Sequence, residues 1–176
     1  MTGDRIYPDE PAGEFPAPPR SFSDGEGREI TVRESDETDR TGLLEMYREF
    51  SPEDRAQGIP PIDEHAIERW LDNVVGEDSY GVVARHEGDT VGHAMLVPDR
   101  QEGYELAIFV LAAYQSAGIG TQLVRTLLGL AQREGIENVW LTVERWNDAA
   151  VSLYRKVGFE VCSTESFEME MSIRLD

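Results

Sequence analysis

The chain has 176 residues, a length that suits one compact domain with an additional tail. Its formal net charge is −19, from 35 acidic and 16 basic residues, which argues against a nucleic acid partner. No apolar run approaches the roughly 20 residues of a membrane span, and we find no signal-peptide pattern, so we expect no membrane association. The single cysteine, Cys162, excludes an internal disulfide and fits a reducing, cytoplasmic compartment. The acidic composition, with Lys156 as the one lysine, is similar to that of proteins from a high-salt cytoplasm.

The predicted elements alternate between strands and helices after a polar N-terminal tail. Residues 1–28 are rich in Pro, Gly, Asp and Glu, so we expect a disordered or loosely docked tail before a single domain at 29–176. The patterns in that domain predict, in chain order, a strand (29–34), two helices (35–50 and 62–75) around a loop, a hairpin (80–97), a strand (104–111), a helix (118–134), a strand (138–143), a helix (147–157) and two final strands. This order predicts a mixed sheet with helices on its faces, in which the strands flanking the 118–134 helix lie parallel.

The most informative stretch is "QSAGIGT", residues 115–121, which lies between a predicted strand and a predicted helix. A helix N-terminus carries unpaired N–H groups, and glycines let a phosphate approach them closely, so the stretch predicts a phosphate site made of backbone amides. The lysine-containing P-loop is excluded because no Gly-Lys-Ser/Thr follows. The dinucleotide fingerprint is poorly matched because Leu123 stands at the third glycine position. A Q-x-x-G-x-G phosphate motif and an ordinary strand-to-helix turn remain as alternatives.

A second pattern downstream favours the first alternative. Residues 147–159, "NDAAVSLYRKVGF", combine with the glycine stretch so that residues 105–159 resemble the GCN5-related N-acetyltransferase (GNAT) superfamily. The run "ELAIFVLAAYQSAGIG" is similar to the bacterial and archaeal protein lysine acetyltransferase branch. The resemblance extends over about residues 29–174. It implies an α/β (α+β) GNAT fold, with a mixed central sheet of six to seven strands flanked by about four helices.

The resemblance also implies an activity and a set of cofactor-binding residues. The protein would be an acetyl-CoA-dependent N-acetyltransferase acting on a primary amine of a protein lysine or a small molecule; the alternative is a catalytically inactive acyl-CoA-binding module. The cofactor-binding residues would be Val110, Leu111, Gln115, Ser116, Ala117, Gly118, Ile119, Gly120, Thr121 and Asn147. The N–H of Val110 or Leu111 would polarise the thioester carbonyl, and Asn147 would cap a helix or bind the pantetheine arm. A homodimer is compatible with the sequence, and no metal is expected.

Three residues are catalytic candidates under the resemblance. Tyr154 resembles the tyrosine that protonates the departing thiolate, although a packed aromatic is the alternative. Glu105 falls on the glutamate of the lysine acetyltransferase branch and is the first candidate for the general base; a solvated edge carboxylate is the alternative. Another branch has its glutamate where this chain has Thr142, so Glu144, two residues further on the same face, is the second candidate.

Two expectations concern the neighbourhood of this site. The lysine acetyltransferase branch has a basic residue where this chain has Ala117, and the candidates to compensate are Arg125, Arg155 and Lys156. The acceptor pocket is expected where the 35–75 helices meet the strand ends, with Tyr104, His93 and Trp146 as candidate lining residues.

Overall fold

The computed structural model describes residues 5–50, 63–74, 78–165 and 167–176. In these ranges eight strands form one sheet: β1 (Arg20–Ser23), β2 (Glu29–Glu34), β3 (Tyr80–His86), β4 (Asp89–Pro98), β5 (Tyr104–Val110), β6 (Asn138–Glu144), β7 (Glu160–Thr164) and β8 (Glu168–Arg174). The strand order is β1-β2-β3-β4-β5-β6-β8-β7, and all neighbours are antiparallel except β5 and β6. The mixed sheet and its parallel pair confirm the predicted fold class.

Four α-helices in the described ranges cover the two faces of the sheet. They are α1 (Arg40–Arg48), α2 (Glu64–Val74), α3 (Ile119–Arg133) and α4 (Asp148–Val157). The helix predicted over 35–50 begins instead with a 3-10 turn at Glu37–Asp39, because the Asp36 side chain accepts a hydrogen bond from the Thr38 amide and ends the extended chain there. The predicted loop at 51–61 and the outermost residues of the predicted 62–75 helix lie outside the described residues.

The core has one cluster on each face of the sheet. The larger cluster packs α3 and α4 on the central strands through residues such as Leu123, Leu127 and Leu141, all buried. The smaller cluster packs α1 and α2 through Tyr47 and Leu71 against the other face. Burial of each such apolar side chain contributes roughly 1.5–3 kcal/mol, so both faces of β4 and β5 are held in place near the site described below.

Strand β1 is an element that the sequence analysis did not predict, and it raises the strand count to eight from the expected six to seven. Its four residues carry no β-branched side chain, but Phe22 lies in register with Ile30 on β2. Residues 5–19 then run along the domain: the Ala12 amide donates to Arg174 O at 2.9 Å, and the Phe15 amide donates to Gln132 Oε1 at 2.8 Å. These contacts are tertiary, so no local pattern in the segment encodes them.

Strands β5 and β6 are paired only at one end. Their parallel register holds at Tyr104 with Val139 and at Glu105 with Trp140, whereas β4 pairs with β5 along the whole of β5. Beyond Glu105 the two strands separate, and the N-terminal loop of α3 follows the open end of β5. The separation creates a cleft in the middle of the sheet.

Candidate functional site

The glycine stretch forms a loop with free amides at the start of α3. The first hydrogen bond of the helix is donated by the Gln122 amide to Gly118 O, at 3.3 Å. The amides of residues 116–121 therefore precede the hydrogen-bonded helix, and they meet no acceptor in the described part of the chain. Ser116 and Gly118 both have positive φ values, 60° and 87°, which turns successive amides toward one side. This arrangement suits an anion such as a diphosphate.

The two glycines are required for different reasons. Gly118 has a left-handed backbone as the N-cap of α3, and a side chain added there would point into open space. Gly120 lies within the first turn of α3, and a Cβ there would come within 3.1 Å of Leu153 Cδ1 on α4. The first glycine shapes the loop, and the second lets α3 approach α4 closely.

Arg28 is a cation at this loop that the sequence analysis did not identify. Its guanidinium lies 4.1 Å above the Tyr114 ring, and its Nη1 donates to Ala113 O at 3.1 Å. Asp24 fixes the same side chain through a 2.7 Å bond to Nε, while Nη2 is buried without a hydrogen-bond partner. No sequence signal near the glycine stretch indicates Arg28, because it lies 85 residues before Ala113.

The position of Ala117 is explained by packing. Ala117 is buried, and its carbonyl accepts a hydrogen bond from the Gly25 amide at 2.8 Å. A long basic side chain at this position would have to displace the turn between β1 and β2. The same turn holds Arg28, so the positive charge near the loop comes from another part of the chain.

The open edge of β5 distinguishes the two amides predicted to polarise a carbonyl. The Leu111 amide donates to Val91 O at 3.0 Å, toward β4. Successive amides of a strand point to opposite edges, so the Val110 amide points toward the cleft between β5 and β6. The Val110 carbonyl, on that same edge, accepts from Gln115 Nε2 at 3.0 Å.

Two predicted residues lie on α4. Asn147 is the N-cap, and its Oδ1 accepts from the Ala150 amide at 3.2 Å, so capping is the role seen in this structure. Tyr154 is 8% exposed, and its ring packs edge-on against Phe159 with centroids 5.8 Å apart. Burial raises the pKa of Tyr154 to about 12, so the phenol is protonated throughout the neutral range.

The two candidate carboxylates lie on the face of the sheet opposite to α3 and α4. Glu105 is at the closed end of the cleft, in register with Trp140, and Glu144 is at the exposed end of β6. Partial desolvation raises the pKa of Glu105; Arg5 lowers this pKa, and Glu170 and Asp99 raise it. Sheet alternation places Thr142 and Glu144 on the same face, as predicted.

The residues expected to line the acceptor pocket are not brought together. His93 is 1% exposed, and its Nδ1 is 2.6 Å from the Tyr47 hydroxyl beneath α1, where desolvation lowers its pKa to about 3. Tyr104 packs against Tyr80 with the α3 cluster, on the other face. Trp146 is 66% exposed and contacts Phe167.

Three further observations concern the charged groups and the helices. Among the described residues, no group of three or more His, Cys, Asp or Glu side chains is arranged to hold a metal ion. Arg125 lies over the Phe15 ring, while Arg155 and Lys156 are exposed in the last turn of α4.

Within the ranges that the structure covers, no helix is long and apolar enough to cross a bilayer.

Similarity to known proteins agrees with this geometry. An uncharacterized N-acetyltransferase of Mycobacterium tuberculosis is 34% identical over 89 residues, which are 50% of this chain and 57% of the relative. The chain thus spans little more than half the length of that relative. The GNAT domain of S. lividans PAT superposes with a TM-score of 0.74 at 19% identity, covering 89% of this chain and 97% of that one.

A further solved structure contains the cofactor that the sequence analysis expected. Salmonella typhimurium yncA, solved with its cofactor acetyl-CoA, has a TM-score of 0.69 at 21% identity, with coverage of 84% and 94%. Residues 42–159 match the profile of the Acetyltransferase (GNAT) family, which is more than half of the chain. The chain belongs to the GNAT family of acetyltransferases.

Proposed function

We propose that the protein transfers an acetyl group from acetyl-CoA to a primary amine, on a protein lysine or a small molecule. The observation that carries the proposal is the cleft between β5 and β6, which opens directly beside the free amides of residues 116–121. Acetyl-CoA would supply an activated thioester, which the amine attacks directly. The tasks left to the protein are to hold the cofactor, polarise the carbonyl and move two protons.

The loop and the edge of β5 are suited to holding the cofactor. The amides of residues 116–121 would bind the diphosphate, aided by the hydroxyls of Ser116 and Thr121 and by the positive charge of Arg28. The exposed edge of β5 beyond Glu105 would accept the pantetheine amides as an added strand. The Asn147 side chain keeps its Nδ2 for the same arm, since only its oxygen is used in capping.

Val110 is the preferred residue for polarising the carbonyl. Its amide points toward the cleft, whereas the Leu111 amide is engaged by Val91 O. An amide fixed by the strand can donate a hydrogen bond to the developing oxyanion without reorganising.

Glu105 is the preferred general base. A lysine-type amine has a pKa near 10.4, so the neutral nucleophile costs about 4–5 kcal/mol to form at pH 7. A carboxylate with a raised pKa accepts that proton more readily, and Glu105 shows this direction of shift. Glu144 remains the second candidate, at the open end of the same face.

Tyr154 is the proposed proton donor to the leaving thiolate. It lies on the α3 and α4 side of the sheet, so donor and base would act from opposite faces. Its high pKa keeps the hydroxyl protonated until the reaction creates a stronger base beside it.

The proposal is tested by incubating the full-length protein with acetyl-CoA and a panel of amines while free thiol is measured. The panel contains peptide lysines, polyamines, amino acids and aminoglycosides, and coenzyme A binding is measured calorimetrically in parallel. Amine-dependent thiol release supports the proposal. Coenzyme A binding without thiol release for any amine would instead identify an inactive binding module, and absence of binding would refute the cofactor site itself.

The same assay assigns the base. Glu105→Gln and Glu144→Gln are compared across pH 6 to 10, a range that spans the roughly neutral to alkaline titration of the acceptor amine. The true base shows a fall in kcat/KM of about 10²-fold or more. Equal activity of both variants and the wild type would exclude both carboxylates.

A further inference from the structure

The side chain of Arg5 occupies a cage on the face of the sheet that carries Glu105, opposite to α3 and α4. Its guanidinium carbon lies 3.4 Å from the centroid of the Trp140 ring. Its Nη2 donates to Glu170 Oε1 at 3.1 Å, and its Nη1 is 3.6 Å from Asp99 Oδ2. Only 18% of this long charged side chain is exposed. An aromatic face and two carboxylates therefore enclose one positive charge.

The cage is fixed independently of Arg5. Trp140 Nε1 donates to Asp99 Oδ2 at 2.8 Å, and Asp99 Oδ1 accepts from the amides of Gln101 and Gly103 at 2.7 and 3.2 Å. Glu170 belongs to β8, which pairs with β6 along the length of β6. These bonds hold the Trp140 ring and the Asp99 carboxylate in place when the guanidinium leaves, and sheet pairing fixes the main chain of Glu170.

The cage adjoins the proposed general base. Trp140 is the register partner of Glu105 in the parallel pair, so the two side chains lie side by side on one face. Arg5, Glu170 and Asp99 all act on the Glu105 carboxylate through their charges. The cage also forms the wall of a cleft of about 520 Å³ that continues past Cys162 and Ser163.

Arg5 is held to the domain by a short strap, residues 5–9. The strap is bonded through main-chain carbonyls: Ser172 Oγ donates to Ile6 O at 2.8 Å, and Arg174 donates to Asp9 O. The Ile6 side chain is 69% exposed and adds little packing. Tyr7, within the strap, is half-buried with its hydroxyl beside Gly103. Further hydrogen bonds follow at Ala12 and Phe15, so we expect the rest of the segment to stay docked when the strap detaches.

The fit of Arg5 in the cage is incomplete. Its Nε is buried without a hydrogen-bond partner. An unpaired buried N–H disfavours the occupied state. An alkylammonium group in the same position has no N–H that corresponds to the unpaired Nε–H of Arg5, so a ligand with this group can compete with Arg5 for the cage.

We propose that the cage of Trp140, Glu170 and Asp99 is a subsite for a second positive charge on the acceptor, and that Arg5 fills it when no acceptor is bound. This inference rests on the proposed function. It defines the acceptor as an amine with a second cationic group beside the reactive nitrogen, as in a diamine or a basic peptide. The strap then makes binding selective, because a monoamine has no second cation that can replace Arg5 while its only nitrogen reacts.

The subsite is tested first by binding, without catalysis. The probe is N-acetylarginine N-methylamide, which carries a guanidinium but has no primary amine to acetylate. In calorimetric titrations of the full chain, Arg5→Ala is expected to bind this probe at least about tenfold more tightly than the wild type, and Trp140→Leu in the Arg5→Ala background is expected to abolish the gain. Arg48→Ala, which removes an exposed arginine paired with Glu64, is the control and should behave as wild type.

The second test uses turnover with 1,4-diaminobutane and butylamine. Arg5→Ala should lower the KM for the diamine about tenfold and the KM for butylamine much less, with the KM for acetyl-CoA unchanged. A peptide with adjacent lysine and arginine is assayed alongside, and it distinguishes a peptide acceptor from a small diamine. Arg5→Gln is used if Arg5→Ala has a lowered Tm. Equal probe binding by wild type and both Arg5 variants overturns the subsite even if monoamines are acetylated. Cage-dependent probe binding without thiol release for any amine refutes the proposed function, and the cage is then a cation-binding site rather than an acceptor subsite.

Discussion

Replacing Tyr154 by Phe removes one hydroxyl and tests the proposed proton donor. The hydroxyl forms no hydrogen bond within the described part of the chain, and desolvation alone raises the pKa of Tyr154 to about 12. The ring contact with Phe159 is kept, so we expect the Tm to change by no more than about 2 °C, which corresponds to under ~1 kcal/mol for a domain of this size. A general acid typically contributes 10²–10⁴-fold, so kcat should fall by at least about 10²-fold, or ~2.7 kcal/mol in the barrier.

The assay is thiol release at saturating amine, with KM for acetyl-CoA measured alongside. The KM should stay within about twofold of wild type, because the hydroxyl acts only as the C–S bond breaks. Tyr80→Phe is the matched control: Tyr80 is a partly buried tyrosine on the same face, packed on Tyr104 away from the cleft. An unchanged kcat in Tyr154→Phe, or an equal loss in Tyr80→Phe, would refute the role of Tyr154.

Three other predictions follow from the same geometry. Arg28→Met should raise the KM for acetyl-CoA about tenfold, or ~1.4 kcal/mol. Arg133→Met, which loses exposed ion pairs with Glu34 and Glu134, should not, and equal KM values for the two variants would contradict the role of Arg28. Gly118→Ala should lower the Tm by about 2–8 °C, since a left-handed alanine costs roughly 1–2 kcal/mol; an unchanged Tm would contradict this cost. The pKa of His93 is lowered from 6.5 to about 3, so between these values the unfolded chain binds a proton that the folded chain does not, and the free energy of unfolding falls as the pH drops from 6.5 toward 3. Denaturant titrations should show that the free energy of unfolding falls by ~1.4 kcal/mol per pH unit more for the wild type than for His93→Asn.

The elements nearest the site could be read from local patterns. The predicted helix at 118–134 is observed as Ile119–Arg133, and the predicted strand at 138–143 as Asn138–Glu144. The helix is defined by apolar periodicity and by Gly118 and Gly135 near its ends, and the strand by apolar alternation, which are properties of neighbouring residues.

Contacts between distant parts of the chain could not be read in this way. The choice between Val110 and Leu111 depends on which edge of β5 faces β4, and that register is set by pairing with Val91. His93 shares a face with Phe109 and looked like a pocket residue, but α1 covers it and the Tyr47 hydroxyl reaches its ring. Arg28 reaches the glycine loop only because β1 and β2 fold their turn onto Ala117.

The separation of β5 and β6 explains how groups on opposite sides of the sheet can serve one reaction. In a continuous sheet, Glu105 and Tyr154 would be isolated from each other by the backbone. Because pairing ends at Glu105, β5 beyond it is not hydrogen-bonded to β6, and the Val110 amide lies on that unpaired edge. A base that takes a proton from the amine on one face, and a phenol that gives a proton on the other, then need no shared side of the sheet. The strap with Arg5 lies on the base side alone, so it can control the acceptor without touching the loop that is proposed to hold the cofactor.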